Sequence, residues 1–349
     1  MILKSFVKTL PQTLNWHKER CETFSSLVIG LIDQGNVQHH ALTRGLTGTP
    51  GLFKSKLERI RRFFAYQEID YKAFALATVM SVFKKTPKMH LILDRTNWKF
   101  GKKDINYLVL TATVGSITVP LFWSLLDHQG CSNATQRIHL MDQFKETFGL
   151  DCILSFTADR EFVGKEWLSY LHAHNIPFFI RLKDNRVIDW GKNQKRPLKD
   201  FFAHLEESEE RALYTMINTL DLLVVGKRIK DEFVVICSNV KNPKKVFKTY
   251  RLRWKIERCF LQMKTNGFNL ENTHMTIIDR LMKLMCIVTV AIFMASLCGL
   301  TQNCPFKKTV GSPLYSWFTM GLRALKFILL KPNGPQFLVP YDLSILSEG

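Results

Sequence analysis

Acidic side chains are scarce in this sequence. Its 349 residues carry 30 Asp+Glu against 49 Lys+Arg, a formal net charge of +19 and a pI near 9.6. Such an excess points to a polyanionic partner, nucleic acid first and an acidic membrane surface second. Paired cysteines are missing too. The eight Cys stand singly and none has C-x₂-C spacing. That excludes a disulfide-dense scaffold and reads as reduced, mostly buried thiols in a cytosolic protein. The ten His lack H-E-x-x-H or finger spacing, so His/Cys metal chemistry has no support. No GxxxxGK[ST] loop occurs, so no nucleotide cofactor is implied. Gly (18) and Pro (12) are too few for a collagen-like or low-complexity chain. No internal repeat is visible, and charges break the apolar residues of MILKSFVKTLPQTLNWHKER before they could form a signal-peptide core. The one long uncharged run, Leu284–Leu300, is 17 residues and contains Thr289 and Ser296. It falls short of the roughly 20 residues of a membrane span and reads as a buried helix. A membrane-surface protein resting on that run stays open as a rival.

What is present is a foldable chain. At 46% hydrophobic and 12% aromatic it can bury a core, which excludes global disorder. At roughly 100–200 residues per domain the length allows two or three units. Residues 1–84 read as helical, from Phe6, Leu10 and Leu14 and again Phe24, Leu27 and Leu31. Gly45, Gly48, Pro50 and Gly51 then lead into the basic helix FKSKLERIRRFF. A Gly-rich break before a basic helix is compatible with helix-turn-helix DNA contact through Lys54, Lys56, Arg59 and Arg62. A solvated charged helix is the alternative.

From residue 85 the texture changes. His90–Leu93, Ile105–Val114, Ile117–Leu126, Cys152–Thr157 and Pro177–Leu182 read as strands, with Gly115-Ser116 as a tight hairpin turn. Asn133–Phe148 and Glu166–His174 read as helices. The order β, hairpin, α, β, α, β predicts an α/β fold with a mixed sheet and helices on its faces. Residues 183–230 read as a β-rich insertion, and 301–349 as a C-terminal segment available for dimer contacts.

Three carboxylates carry the chemistry. Asp94 and Asp159 each follow an apolar strand, where sites collect in open α/β sheets, although Asp after a strand is also an ordinary turn residue. Glu257 is the one acid among nine Lys/Arg from Lys241 to Leu270. Between the Asn242-Pro243 start and the Asn266-Gly267 stop, the spacing predicts one helix. On it Tyr250, Arg253, Glu257 and Lys264 share a stripe of ~60°, about 21 Å long, with Leu252, Ile256, Cys259 and Met263 behind. Arg251, Lys255 and Arg258 widen the basic surface. Glu257 could be no more than an i,i+4 partner of Arg253. Together with the two aspartates it could instead bind Mg²⁺, a hard ion that prefers carboxylate oxygen.

D94-R-T-N-W, A-D159-R-E-F and Y250-x₂-R253-x₃-E257-x₆-K264 resemble the DDE transposases of bacterial insertion sequences, and more narrowly insertion-sequence family four, which has that Y-R-E-K spacing. The resemblance implies a ribonuclease-H-like catalytic core over 85–182 and 231–300, with a helical DNA-binding N-terminal domain. It implies cut-and-paste transposition on double-stranded DNA: cleavage at the terminal inverted repeats, then transfer of the 3′-hydroxyl ends to target DNA. Asp94, Asp159 and Glu257 carry over as ligands of two Mg²⁺ ions, which Mn²⁺ can replace. Tyr250, Arg253 and Lys264 carry over as contacts to terminal phosphates. A base-stacking Trp of some members is replaced here by Phe233, with Trp190 as second candidate. A homodimer on DNA, a cytoplasmic, nucleoid-associated location and no membrane role follow from the same resemblance. A structure-selective nuclease of the same fold and an inactive DNA-binding derivative are the alternatives.

Overall fold

The computed structural model describes residues 14–46, 52–189, 194–303 and 314–330. Among the described residues three longer helices precede the sheet, α1 (Lys18–Gln34), α2 (Phe53–Tyr66) and α3 (Tyr71–Met80), with one short helical turn at His39–Leu42 running into a 3₁₀ turn at Thr43–Leu46 between α1 and α2. Strands β1 (Met89–Phe100), β2 (Lys103–Val114) and β3 (Ile117–Leu126) follow, then α4 (Ala134–Phe148), β4 (Ile153–Ala158), α5 (Lys165–Ala173) and β5 (Phe178–Leu182). The small strands β6 (Val187–Asp189) and β7 (Lys195–Pro197) pair with each other. Next come β8 (Glu210–Ile217), β9 (Leu220–Ile229) and β10 (Glu232–Ser238), then α6 (Pro243–Tyr250), α7 (Trp254–Met263), α8 (Ile278–Leu300) and α9 (Trp317–Leu329).

One eight-stranded mixed sheet runs β3-β2-β1-β4-β5-β10-β9-β8. Of its strand pairs among the described residues, β1–β4 and β4–β5 are parallel and the others antiparallel, and the parallel connections carry α4 and α5. Local signals set several boundaries. Gly115 adopts φ +54° in the two-residue turn between β2 and β3, which an L side chain would resist. Asn133 and Gln136 form a reciprocal capping box at the start of α4, satisfying two otherwise orphaned donors. The segment 183–230 is β-rich, but it is not a separate layer. Its strands β8 and β9 extend the main sheet through β10.

The uncharged run lies in α8. This helix is long and apolar enough to cross a membrane, yet 94% of its apolar window is buried inside the protein. Tyr107 donates to Leu281 O (2.8 Å) and Trp123 to Met282 O (3.2 Å), fixing its first turn on the sheet. The buried Lys283 ammonium donates to Phe64 O (3.1 Å) and to Asp279, so the last turn of α2 is capped from α8. α9 crosses α8 closely enough that a Cβ on Gly299 or Gly321 would collide with the other helix's backbone. Phe24, Phe64 and Phe74 of the N-terminal helices share one apolar cluster with α8 and the sheet. The apolar positions Phe6 and Leu10, and Gly48, Pro50 and Gly51 of the predicted break, lie outside the described residues.

Candidate active site

The two aspartates sit side by side for a backbone reason. β1 and β4 are parallel, and their ladder ends at Leu93↔Ala158. Asp94 and Asp159 are the next residues on strands that neighbour one another at about 4.8 Å. Asp94 does not end its strand, as the sequence suggested. β1 continues to Phe100 because β2 pairs with it along the whole length, so Asp94 is in the middle of a strand and at the end of one ladder. Its side chain is 18% exposed. Burial pushes the Asp94 carboxyl up to about 6. The bond from the Arg95 N–H and the charge of Arg253 pull it back down, and the charges of Glu161 and Asp159 add to the rise.

The predicted single helix is broken. α6 and α7 are joined by a 3₁₀ turn at Arg251–Arg253, and α7 ends at Met263. Val246 and Tyr250 pack on Phe179, Leu223, Val225 and Ile236, while Ile256, Cys259 and Met263 enter the main core. The wheel placed Tyr250 and Arg253 on the solvent face. Instead both are buried, because α6 lies against the sheet and the tight turn directs Arg253 toward β1. An Arg253 Nη stands 2.7 Å from Glu257 and the other 3.5 Å from Asp94. The guanidinium lies 5.8 Å from the Tyr250 ring centre and 5.1 Å from that of Trp254. The Tyr250 hydroxyl faces Asp159 at 3.5 Å. Arg253 and Tyr250 thus connect all three predicted acids.

The other predicted contacts divide. Arg251 and Arg258 are exposed. Lys255 is half-buried and donates to Gly115 O (2.8 Å), binding α7 to the β2–β3 turn. Burial, with Arg258 nearby, lowers its pKa. Lys264 pairs with Glu271 (2.7 Å), donates to Asn97 O (3.3 Å) and lies 5.7 Å from the Trp98 ring. On α2, Lys54 is exposed, Lys56 half-buried and Arg62 paired with Glu58 (3.8 Å). Arg59 turns inward and donates to Thr23 of α1 (2.8 Å), because α1 lies alongside. Phe233 packs half-buried against the main core, on the opposite sheet face from Tyr250. Trp190 lies outside the described residues.

Sequence reasoning missed two features. The first is an ion pair between Arg95 and Glu161, the near neighbours of the two aspartates, whose adjacency in both motifs was the available signal. The second is Trp254, 58% exposed beside Arg253. Of the nine cations counted from Lys241 to Leu270, Lys241, Lys244, Lys245 and Lys248 form an exposed row along α6 and its start. Beyond Asp159 opens a cleft of about 770 Å³, walled by Arg160, Glu161, Lys183, Asp184, Arg186 and Cys131 among others.

Among the described residues no three His, Cys, Asp or Glu side chains stand close enough to share an ion. Arg253 and Tyr250 link the acids instead. The donor chemistry nevertheless fits a hard divalent cation: the three carboxylates flank the Arg253 and Tyr250 side chains, and the charge of Arg253 only partly offsets the burial of Asp94.

A family model described as the transposase DDE domain matches residues 85–294, more than half of the chain. No curated protein sequence matches. Among solved structures, endonuclease V from Bacillus subtilis is similar at a TM-score of 0.28 and 9% identity, over 54% of this chain and 83% of that one. The matched region contains Asp94 on β1, Asp159 just after β4 and Glu257 on α7, the three acids joined by Arg253 and Tyr250. This protein belongs to the family of transposases with a DDE domain.

Proposed function

We propose that the protein is a cut-and-paste transposase of insertion-sequence family four. On this reading it binds the terminal inverted repeats of its own element, hydrolyses phosphodiester bonds there and transfers the 3′-hydroxyl ends to target DNA. The observation that carries it is the convergence of Asp94, Asp159 and Glu257 through the Tyr250 and Arg253 side chains, in a chain whose DDE domain spans all five residues.

Asp94, Asp159 and Glu257 would hold two Mg²⁺ ions. When bound, such ions activate a water or 3′-hydroxyl and stabilise the leaving oxygen of an in-line displacement. The chain's own residues do the rest. Exposed Arg251, Arg258, Lys244 and Lys248 neutralise backbone phosphates and fix register without reading sequence. Tyr250 and Arg253 contact terminal phosphates from below, and Lys264 does so after releasing Glu271. Trp254 offers an exposed ring on which a base can stack. Residues 1–84 act as the end reader, 85–182 and 231–300 as the catalytic core, 183–230 as the insertion, and 301–349 as dimer contacts in a DNA-bound homodimer working in the cytoplasm.

The test uses purified protein and duplexes bearing the inverted repeats that flank the gene. Mg²⁺-dependent nicking at the repeat boundary, followed by joining to a plasmid, is the expected result. Cleavage of branched DNA with no preference for the repeats would favour a structure-selective nuclease and overturn the transposase reading.

A further inference from the structure

We infer that Arg253 is an internal counter-cation that competes with divalent metal for the catalytic acids and yields them when a DNA phosphate takes its guanidinium. Metal binding and DNA binding would then reinforce one another through one side chain. The inference rests on the transposase reading and goes beyond it by assigning how the site is held before DNA arrives.

The geometry supplies the competition. The Arg253 side chain is 7% exposed, with one Nη 2.7 Å from Glu257 and the other 3.5 Å from Asp94. Lone pairs that accept from a guanidinium are not free for a metal ion. A divalent ion has to displace this cation or share the acids with it at close range, and like charges that near repel.

The geometry also shows why the cation can leave. Its Nε is buried with no hydrogen-bond partner among the described residues, so the resting arrangement leaves that donor unsatisfied by them. The contact to Asp94 is long for a charge-assisted bond, which is usually about 2.7–2.9 Å. Arg253 closes the 3₁₀ turn between α6 and α7, and a short 3₁₀ stretch inside a helical segment often marks a hinge. A phosphate offers a planar guanidinium two parallel bonds, a better match than two separate carboxylates. Exposed Arg251 and Arg258 stand on either side in sequence and would draw the phosphate to this turn. Trp254, 5.1 Å from the guanidinium and largely exposed, gives the cation an aromatic face toward solvent. Because coupling between two ligands is reciprocal, DNA must then tighten metal binding by the same factor that metal tightens DNA binding.

The experiment is calorimetry with Ca²⁺, a hard oxygen-seeking ion, on the full chain. Wild type and Arg253→Gln are compared with and without a duplex carrying the flanking inverted repeat, and Asp94→Asn identifies the heat that belongs to the site. Without DNA, Arg253→Gln is expected to bind Ca²⁺ about tenfold more tightly than wild type, and DNA is expected to tighten wild type by a similar factor while adding little to the variant. Equal affinities of the two DNA-free proteins, or a wild-type affinity unchanged by DNA, would overturn the proposal and leave the transposase reading intact. Should Arg253→Gln fail to fold by thermal melting, the two wild-type measurements decide alone. Absence of Ca²⁺ binding at the site in every condition would overturn the metal-dependent reading and the coupling with it.

Discussion

Arg95 and Glu161 form a two-pronged ion pair, Nε–Oε1 2.6 Å and Nη2–Oε2 2.8 Å, between the residue after Asp94 and the turn after Asp159. Arg95 also donates to Gly130 O (2.6 Å) and Asn106 (3.3 Å), and Arg137 donates to Glu161 O (3.2 Å). The pair is 17% and 25% exposed. It therefore ties the middle of β1 to the turn after β4, just beyond the last bond of the ladder between those strands. Glu161→Gln is expected to lower stability by roughly 1–3 kcal/mol, below the range for a fully buried pair broken on one side. Cleavage should fall further than end binding, because the relative position of the two aspartates is loosened while the phosphate contacts remain. Urea unfolding and single-turnover cleavage measure the two effects. The exchanged pair Arg95→Glu with Glu161→Arg should recover part of the lost stability.

Asp94 is expected to destabilise the DNA-free protein when ionised. Its carboxyl is raised from 3.8 to about 6 by burial, so the native state holds this proton more tightly than the unfolded chain does. Stability from this group is greatest below the unfolded value, falls as pH rises from about 4 through about 6, and then levels off. Asp94→Asn removes that loss. The variant should gain up to about 3 kcal/mol relative to wild type at pH 8 and little at pH 4, while losing cleavage. Denaturation curves of both proteins at the two pH values check it. A constant difference between them would count against a buried, ionisable Asp94.

The exposed and engaged cations should separate in salt dependence. Lys248→Ala, Arg251→Ala and Arg258→Ala should each lower the slope of log affinity against log salt by about one, with affinity for all sequences reduced alike. Lys255→Ala should leave that slope nearly unchanged, since its ammonium is bonded to Gly115 O. It should instead lower stability by about 1 kcal/mol, the scale of one hydrogen bond. Filter binding at several salt concentrations, with melting curves, distinguishes the two classes.

Removal of residues 1–84 is expected to damage folding before it tests end recognition. Phe24, Phe64 and Phe74 belong to the same apolar cluster as α8, and Lys283 would lose the Phe64 carbonyl. A chain starting at residue 85 should aggregate or melt well below the full protein. End selectivity is better examined with Lys54→Ala and Arg62→Ala on the exposed face of α2, which leave that cluster untouched. Reduced preference for the element's ends over random DNA, at unchanged melting temperature, is the expected result.

The sequence by itself determined the local elements and the identity of the acids. β-branched runs with Gly115-Ser116 between them specify the β2–β3 hairpin, and Asn133 with Gln136 specifies the start of α4, because these signals act over a few residues. The apolar positions Ile256, Cys259 and Met263 were also legible, since helical periodicity reports which side of a helix is buried. The motifs around Asp94, Asp159 and Glu257 carried the resemblance to the DDE transposases.

Only the tertiary structure decided what those side chains do. Asp94 ends a ladder inside a longer strand because β1 has two neighbours of different lengths, and no local pattern records a second pairing partner. Arg253 turns inward between Asp94 and Glu257 because a 3₁₀ turn interrupts the helix where α6 packs on the sheet, a change of axis that a single helical wheel does not contain. Lys255 and Arg59 look like surface cations in sequence, yet Gly115 and Thr23, both distant along the chain, lie close enough to accept from them. The physical reason is the same in each case. Periodicity fixes which face of an element is apolar, but the partner of a polar side chain is set by whichever backbone or acid the fold brings to it.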